Sequence, residues 1–140
     1  MRKAAIHLSL LLSVPLFTIS CKKAIDTAVN NAATATLNSS SYAVTKFTEG
    51  GTDITAIFSG WLTKFGSDGT LVSTKGTTTV NGTWSTTNIL QNVTCQYAAS
   101  APDPLPKLNG TWAVVDQNAT VQNLSQTKNN IAYTLQLTKQ

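Results

Sequence analysis

From residue 42 onward the chain alternates apolar and polar residues with a period of two, the spacing that places successive side chains on opposite faces of a β-strand. The last segment is the clearest: Ile131, Tyr133, Leu135 and Leu137 alternate with Ala132, Thr134, Gln136 and Thr138. In residues 78–85 the same period puts Val80 and Trp84 on one side and Asn81, Thr83 and Ser85 on the other. It also gathers Ile89, Val93, Cys95 and Tyr97 on one face. Trp61 and Phe65 share a face just before Gly66-Ser67-Asp68-Gly69, a strong turn signal that leads into Thr70 to Lys75. The pattern predicts about eight strands, near 42–48, 60–65, 70–75, 78–85, 89–97, 111–116, 119–125 and 131–138. Most connections are short, which favours antiparallel neighbours in chain order. The exception is Ala98 to Asn109, where Pro102, Pro104 and Pro106 exclude a central strand. An eight-stranded antiparallel meander hides its edges best by closing into a barrel, the all-β class expected here, while a two-sheet sandwich would show the same period. Asn81-Gly82-Thr83-Trp84 recurs as Asn109-Gly110-Thr111-Trp112, which reads as a turn followed by a strand with an early Trp, used twice.

Upstream the texture differs. Arg2 and Lys3 precede an apolar run from Ala4 to Ile19 that stops at Ser20-Cys21. A charged start, a short apolar middle and a small residue before the break describe a secretory signal. The run falls short of the ~20 apolar residues of a membrane-spanning helix, and it contains His7 and Pro15. Residues 18–21 resemble the lipobox of bacterial lipoproteins, with Thr18 where Leu is usual. That resemblance implies cleavage before Cys21 and a lipid on its sulfur. The expected organisation is a signal peptide over 1–20, a lipidated Cys21 with a flexible Ala-, Asn-, Thr- and Ser-rich tether over 21–41, and a barrel domain over 42–140. Lys22 and Lys23 show neither the aspartate associated with inner-membrane retention nor an acidic run resembling a surface-export tag, so the outer membrane, periplasmic face, is the expected location. Asp26-Thr27-Ala28 resembles a short O-glycosylation motif of some Bacteroidota, a three-residue match that chance produces often.

Charge changes the picture once the signal is set aside. Without Arg2 and Lys3, eight basic residues face six acidic ones and the net charge falls from +4 to +2. A balance this small, with no basic cluster beyond Lys22-Lys23, argues against a nucleic-acid face. Those two lysines add attraction to anionic headgroups or simply keep the tether soluble. Cys21 and Cys95 are the only cysteines, so a lipidated Cys21 leaves no internal disulfide and the domain must rest on its packed core.

Candidate chemistry is thin. His7 is the only histidine and leaves with the signal, removing the usual base of a nucleophile triad and the commonest metal ligand. Glu49 and Asp53 flank Gly50-Gly51 and are the one close carboxylate pair, more in keeping with a solvated turn than with acid/base work. Cys95 alternates with Val93 and Tyr97 and reads as a buried apolar residue. Trp61, Trp84, Trp112 and Tyr133 either line a pocket or fill the core, and filling is the default in a barrel this small. No enzyme, metal or cofactor is expected.

Several short motifs together resemble the small lipocalin-like lipoproteins of Bacteroidota: Asp53-x-Thr55-x-x-Phe58, Phe65-x-x-Asp68-Gly69-Thr70, Gly82-Thr83-Trp84-Ser85, Leu108-x-x-x-Trp112-x-Val114 and Leu135-x-Leu137-x-Lys139. The resemblance implies a compact antiparallel barrel and leaves activity open. The expected function is therefore a lipid-anchored, non-enzymatic envelope barrel. Either it holds a small apolar ligand between residues such as Trp61, Trp84 and Trp112, or it is a protein-interaction module, an inhibitor or scaffold, that uses loops 49–57 and 98–109.

Overall fold

The computed structural model describes residues 37–38, 40–87 and 91–140. Cys21, Lys22, Lys23, Thr27 and Ile89, with the expected signal and most of the expected tether, lie outside them. The described strands are β1 (Ser41–Glu49), β2 (Thr52–Asp53), β3 (Leu62–Phe65), β4 (Thr70–Lys75), β5 (Thr78–Thr87), β6 (Asn92–Tyr97), β7 (Gly110–Gln117), β8 (Val121–Lys128) and β9 (Ile131–Lys139). Every neighbouring pair is antiparallel, and β1 pairs with β9 from Tyr42↔Lys139 to Glu49↔Tyr133. That last pairing closes an eight-stranded barrel, with β2 a two-residue return on the end of β1. Closure settles barrel against sandwich and removes the open edges that a flat meander would expose.

Strand reversal assigns every connection to one of two poles. β1 starts at the entry pole, and the 66–69 and 118–120 turns and the end of β9 share that end. The 50–61 segment, the Gly76-Thr77 turn, the 98–109 segment and the Asn129-Asn130 turn share the other, here the loop pole. Two short 3-10 turns, Thr55–Phe58 and Leu105–Leu108, fold over the loop pole and bury Phe58, Leu105 and Leu108.

The interior is aromatic at both ends. Toward the entry pole Tyr42 meets Phe65 edge-on at 5.8 Å between ring centroids, and Phe65 meets Trp84 at 5.3 Å. Toward the loop pole Phe47 contacts Phe58 at 4.9 Å and Trp112 at 6.0 Å. Between them lies a buried hydroxyl cluster. The Ser73 hydroxyl is 2.7 Å from that of Thr63 and 2.6 Å from that of Tyr97, and burial pushes the Tyr97 phenol up to about 12 against the opposing pull of those hydroxyls. Tyr97 reaches Ser73 across β5 because the intervening inward position is Gly82, where a Cβ would stand 2.9 Å from the Tyr97 ring.

Three details differ from the sequence reading. Asn81 and Gly82 lie inside β5, so only the second Asn-Gly-Thr-Trp copy follows a turn. The shared sequence instead serves pairing, since β5 and β7 flank β6 and present Trp84 opposite Cys95 and Trp112 opposite Val93. Ile131, placed by period on the apolar face, is 40% exposed, because β9 there runs past the core to the rim. Leu37, within the expected tether, is only 2% exposed and joins the core.

Candidate functional site at the loop pole

The loops 49–57 and 98–109, far apart in sequence, meet at the loop pole. The Lys107 ammonium donates to Glu49 Oε2 at 2.8 Å, and the Tyr133 hydroxyl donates to Glu49 Oε1 at 3.1 Å. Each residue is placed by local structure. Glu49 ends β1 before Gly50, which takes a left-handed φ of 57° so that the chain can reverse at once. Lys107 lies in the Leu105–Leu108 turn, which is anchored from both sides. Trp112 Nε1 donates to Leu108 O at 2.8 Å, and the Asn109 side chain accepts from Tyr97 N at 2.6 Å while donating to Tyr97 O at 3.0 Å. Asn109 thus continues the β6 ladder with a side chain.

The hydrogen bond and charge of Lys107 hold the Glu49 carboxyl below its ordinary range, and the bond from Tyr133 adds to this. Desolvation, with the Glu49 charge beside it, pushes the Tyr133 phenol upward. Next to the pair a cleft of about 350 Å³ opens between the 98–109 loop and the Asn129-Asn130 turn, lined by Asp103, Pro106, Lys107, Gln126, Lys128 and Tyr133. Ile57 and Ile131, 41% and 40% exposed, add apolar surface at this pole.

Glu49 and Asp53 engage separate partners. Glu49 answers to Lys107 and Tyr133, whereas Asp53 Oδ1 accepts from the Thr55 amide at 2.9 Å and its hydroxyl at 2.6 Å. Asp68 does the same for Thr70, at 3.0 and 2.7 Å. In both carboxylates the Thr hydroxyl and amide lower the pKa, as a turn-forming aspartate requires. Cys95 is buried, and desolvation raises its thiol to about 12, far from a nucleophile's range. Among the described residues no group of three or more His, Cys, Asp or Glu is arranged to hold a metal.

The three tryptophans, candidate pocket residues, are all buried. Trp84 Nε1 donates to Gly66 O at 2.8 Å and so ties the 66–69 turn to the barrel, as Trp112 ties the 105–108 turn. Their polar handles are therefore engaged by loop carbonyls. Sequence reasoning picked out both loops and Glu49 but not Lys107 or Tyr133 as its partners, since pairs separated by 58 and 84 residues leave no local signal.

The fold is similar to the crystal structure of a DUF4847 family protein from Bacteroides vulgatus, with a TM-score of 0.53 and 16% identity over 74% of this chain and 96% of that one. At that identity the likeness establishes the barrel fold alone. No family model and no curated protein matches the chain.

Proposed function

We propose that this chain is a lipid-anchored lipoprotein of the bacterial envelope, resembling the small lipocalin-like lipoproteins, whose barrel is a non-enzymatic interaction module. The observation that carries the reading is the Glu49–Lys107 bridge, which joins two loops into one surface at the pole opposite residue 41. A tether running from a lipid on Cys21 would meet the barrel at the entry pole, so the loop pole would point away from the membrane toward a partner. Anchoring of this kind takes two or more acyl chains, each buried methylene contributing about 0.8 kcal/mol. The outer membrane, periplasmic face, is the proposed location. The carrier alternative, a small apolar ligand held among Trp61, Trp84 and Trp112, draws less support because all three are buried in the core and two have their indole N–H bonded to loop carbonyls.

Two measurements test this. Cys21→Ser should release the protein from membranes or stall its processing, and unchanged membrane fractionation would remove the anchoring step. A photo-crosslinking residue at Ile57 or Ile131 should give a discrete protein adduct in cells where one at Ser67, on the entry pole, gives none. Equal adducts from the two poles would overturn the assignment of the surface.

A further inference from the structure

We infer that the outer wall of the barrel over β7, β8, β9 and β1 is a self-association surface, and that its partner is a second copy of this chain. The strand register sets Lys46, Gln136, Asn123 and Asp116 in one row across these four strands, through the pairs Lys46↔Gln136, Asn123↔Gln136 and Asp116↔Asn123. A cation stands at one end of the row and an anion at the other, and both are exposed. With neighbouring strands about 4.8 Å apart, the two ends are roughly 14 Å from each other along the wall, too far for an ion pair within one barrel. Lys46 reaches Asp53 only through its field, and the one ion pair among the described residues is Glu49 with Lys107.

The middle of the row is ready to be covered. Gln136 Nε2 donates to Asn123 Oδ1 at 2.9 Å, and Gln136 Oε1 accepts from the Thr45 hydroxyl at 3.0 Å. These amides satisfy each other, so excluding water from them costs little. Shape agrees with charge. Val115 is an extra residue in β7, inserted where the register shifts between Val114 and Asp116, and at 67% it is the most exposed large apolar side chain among the described residues. With Lys46 it lines a depression of about 250 Å³ to which Leu124 and Leu135 also contribute. The adjoining row, Thr48, Thr134, Ser125 and Ala113, holds nothing larger than threonine, so a second wall can approach closely.

A two-fold axis lying in the contact and running between β8 and β9 exchanges the two ends of the row. Lys46 of each copy then meets Asp116 of the other, twice, and each Val115 covers the aliphatic stem of the other copy's Lys46. Such an axis preserves strand direction, so both entry poles lie toward the same end and both loop poles stay open. The dimer is therefore independent of what the loop pole binds.

Charge exchange tests this in the full chain. Two differently tagged copies are made in the same cells, and one tag is captured from detergent extract. Wild-type copies should co-purify. Lys46→Asp in both copies, or Asp116→Lys in both, sets like charges against each other at two places and should cut co-purification at least about tenfold. One copy with Lys46→Asp and the other with Asp116→Lys restores opposite charges at both places and should recover the wild-type yield, which misfolded chains could not do. No co-purification of the wild type, equal yields from every combination, or no recovery in the mixed pair would each overturn the inference. A photo-crosslinking residue at Val115 should also give an adduct of two chains joined near Lys46 of the second copy; no two-chain adduct, or a junction elsewhere, would overturn it.

Discussion

Removing one hydroxyl from the middle of the buried cluster should cost more stability than removing all three. Ser73 bonds both Thr63 and Tyr97, and all three side chains are buried. Ser73→Ala leaves two buried hydroxyls without their principal partner. At ~1–3 kcal/mol for each unsatisfied group, and with Thr63 and Tyr97 still able to reach each other, the loss should be about 2–3 kcal/mol. Tyr97→Phe leaves the 2.7 Å Thr63–Ser73 bond intact and should cost only about 1 kcal/mol. The triple variant Thr63→Val, Ser73→Ala, Tyr97→Phe takes away donors and acceptors together while keeping most of the volume. It should be destabilised by no more than about 1 kcal/mol. Urea unfolding followed by tryptophan fluorescence reads these differences directly, provided the slope of free energy on urea is unchanged. For a domain of this size 2–3 kcal/mol lowers the melting midpoint by roughly 10–20 °C. A triple variant as unstable as Ser73→Ala would refute the reasoning, because the cluster would then act through attraction and not through mutual satisfaction.

Gly82→Ala should destabilise the barrel by about 1–3 kcal/mol through overpacking, since its Cβ would meet Gln96 O at 2.6 Å and the Tyr97 ring at 2.9 Å; a wild-type melting midpoint would contradict the packing described for Tyr97. Glu49 is held below its ordinary pKa mainly by Lys107, so its contribution to stability is complete above the ordinary glutamate value and is lost as pH falls through its own lower value. Lys107→Met should raise the Glu49 titration midpoint seen by carboxyl NMR, and an unmoved midpoint would show that the bridge does not form in solution. Cys95, with its thiol raised to about 12, should resist thiol reagents at pH 8 at the rate set by barrel opening; rapid labelling of the folded protein would show it accessible.

The eight barrel strands were legible because each is half-buried, and a half-buried strand writes its two faces into alternate residues. β9 and the Val93, Cys95 and Tyr97 face of β6 show this directly. β8 shows the limit, for Gln122 is buried while Val121 is not; its amide donates to Asn118 O at 3.2 Å and so satisfies itself near the entry pole. The two 3-10 turns and β2 escaped notice because they hold only two to four residues each, too few to show a period. The site was half legible. Loop composition marked 49–57 and 98–109 as exposed connections, and the Gly50-Gly51 reversal fixed where Glu49 would stand. What joins them is tertiary: Lys107 is held by a Trp112 bond and an Asn109 clasp that no local spacing announces.

The pairing of β1 with β9 also orders events in time. Its partners lie about ninety residues apart, as in Phe47↔Leu135, and residues 131–139 are the last of the barrel strands to be synthesised. Until they arrive, β1 and β8 each present an unpaired edge that invites association with other chains. A product truncated before residue 131 would keep both edges permanently, so the ninth, nine-residue strand decides whether the barrel is sealed or left as a nucleus for aggregation.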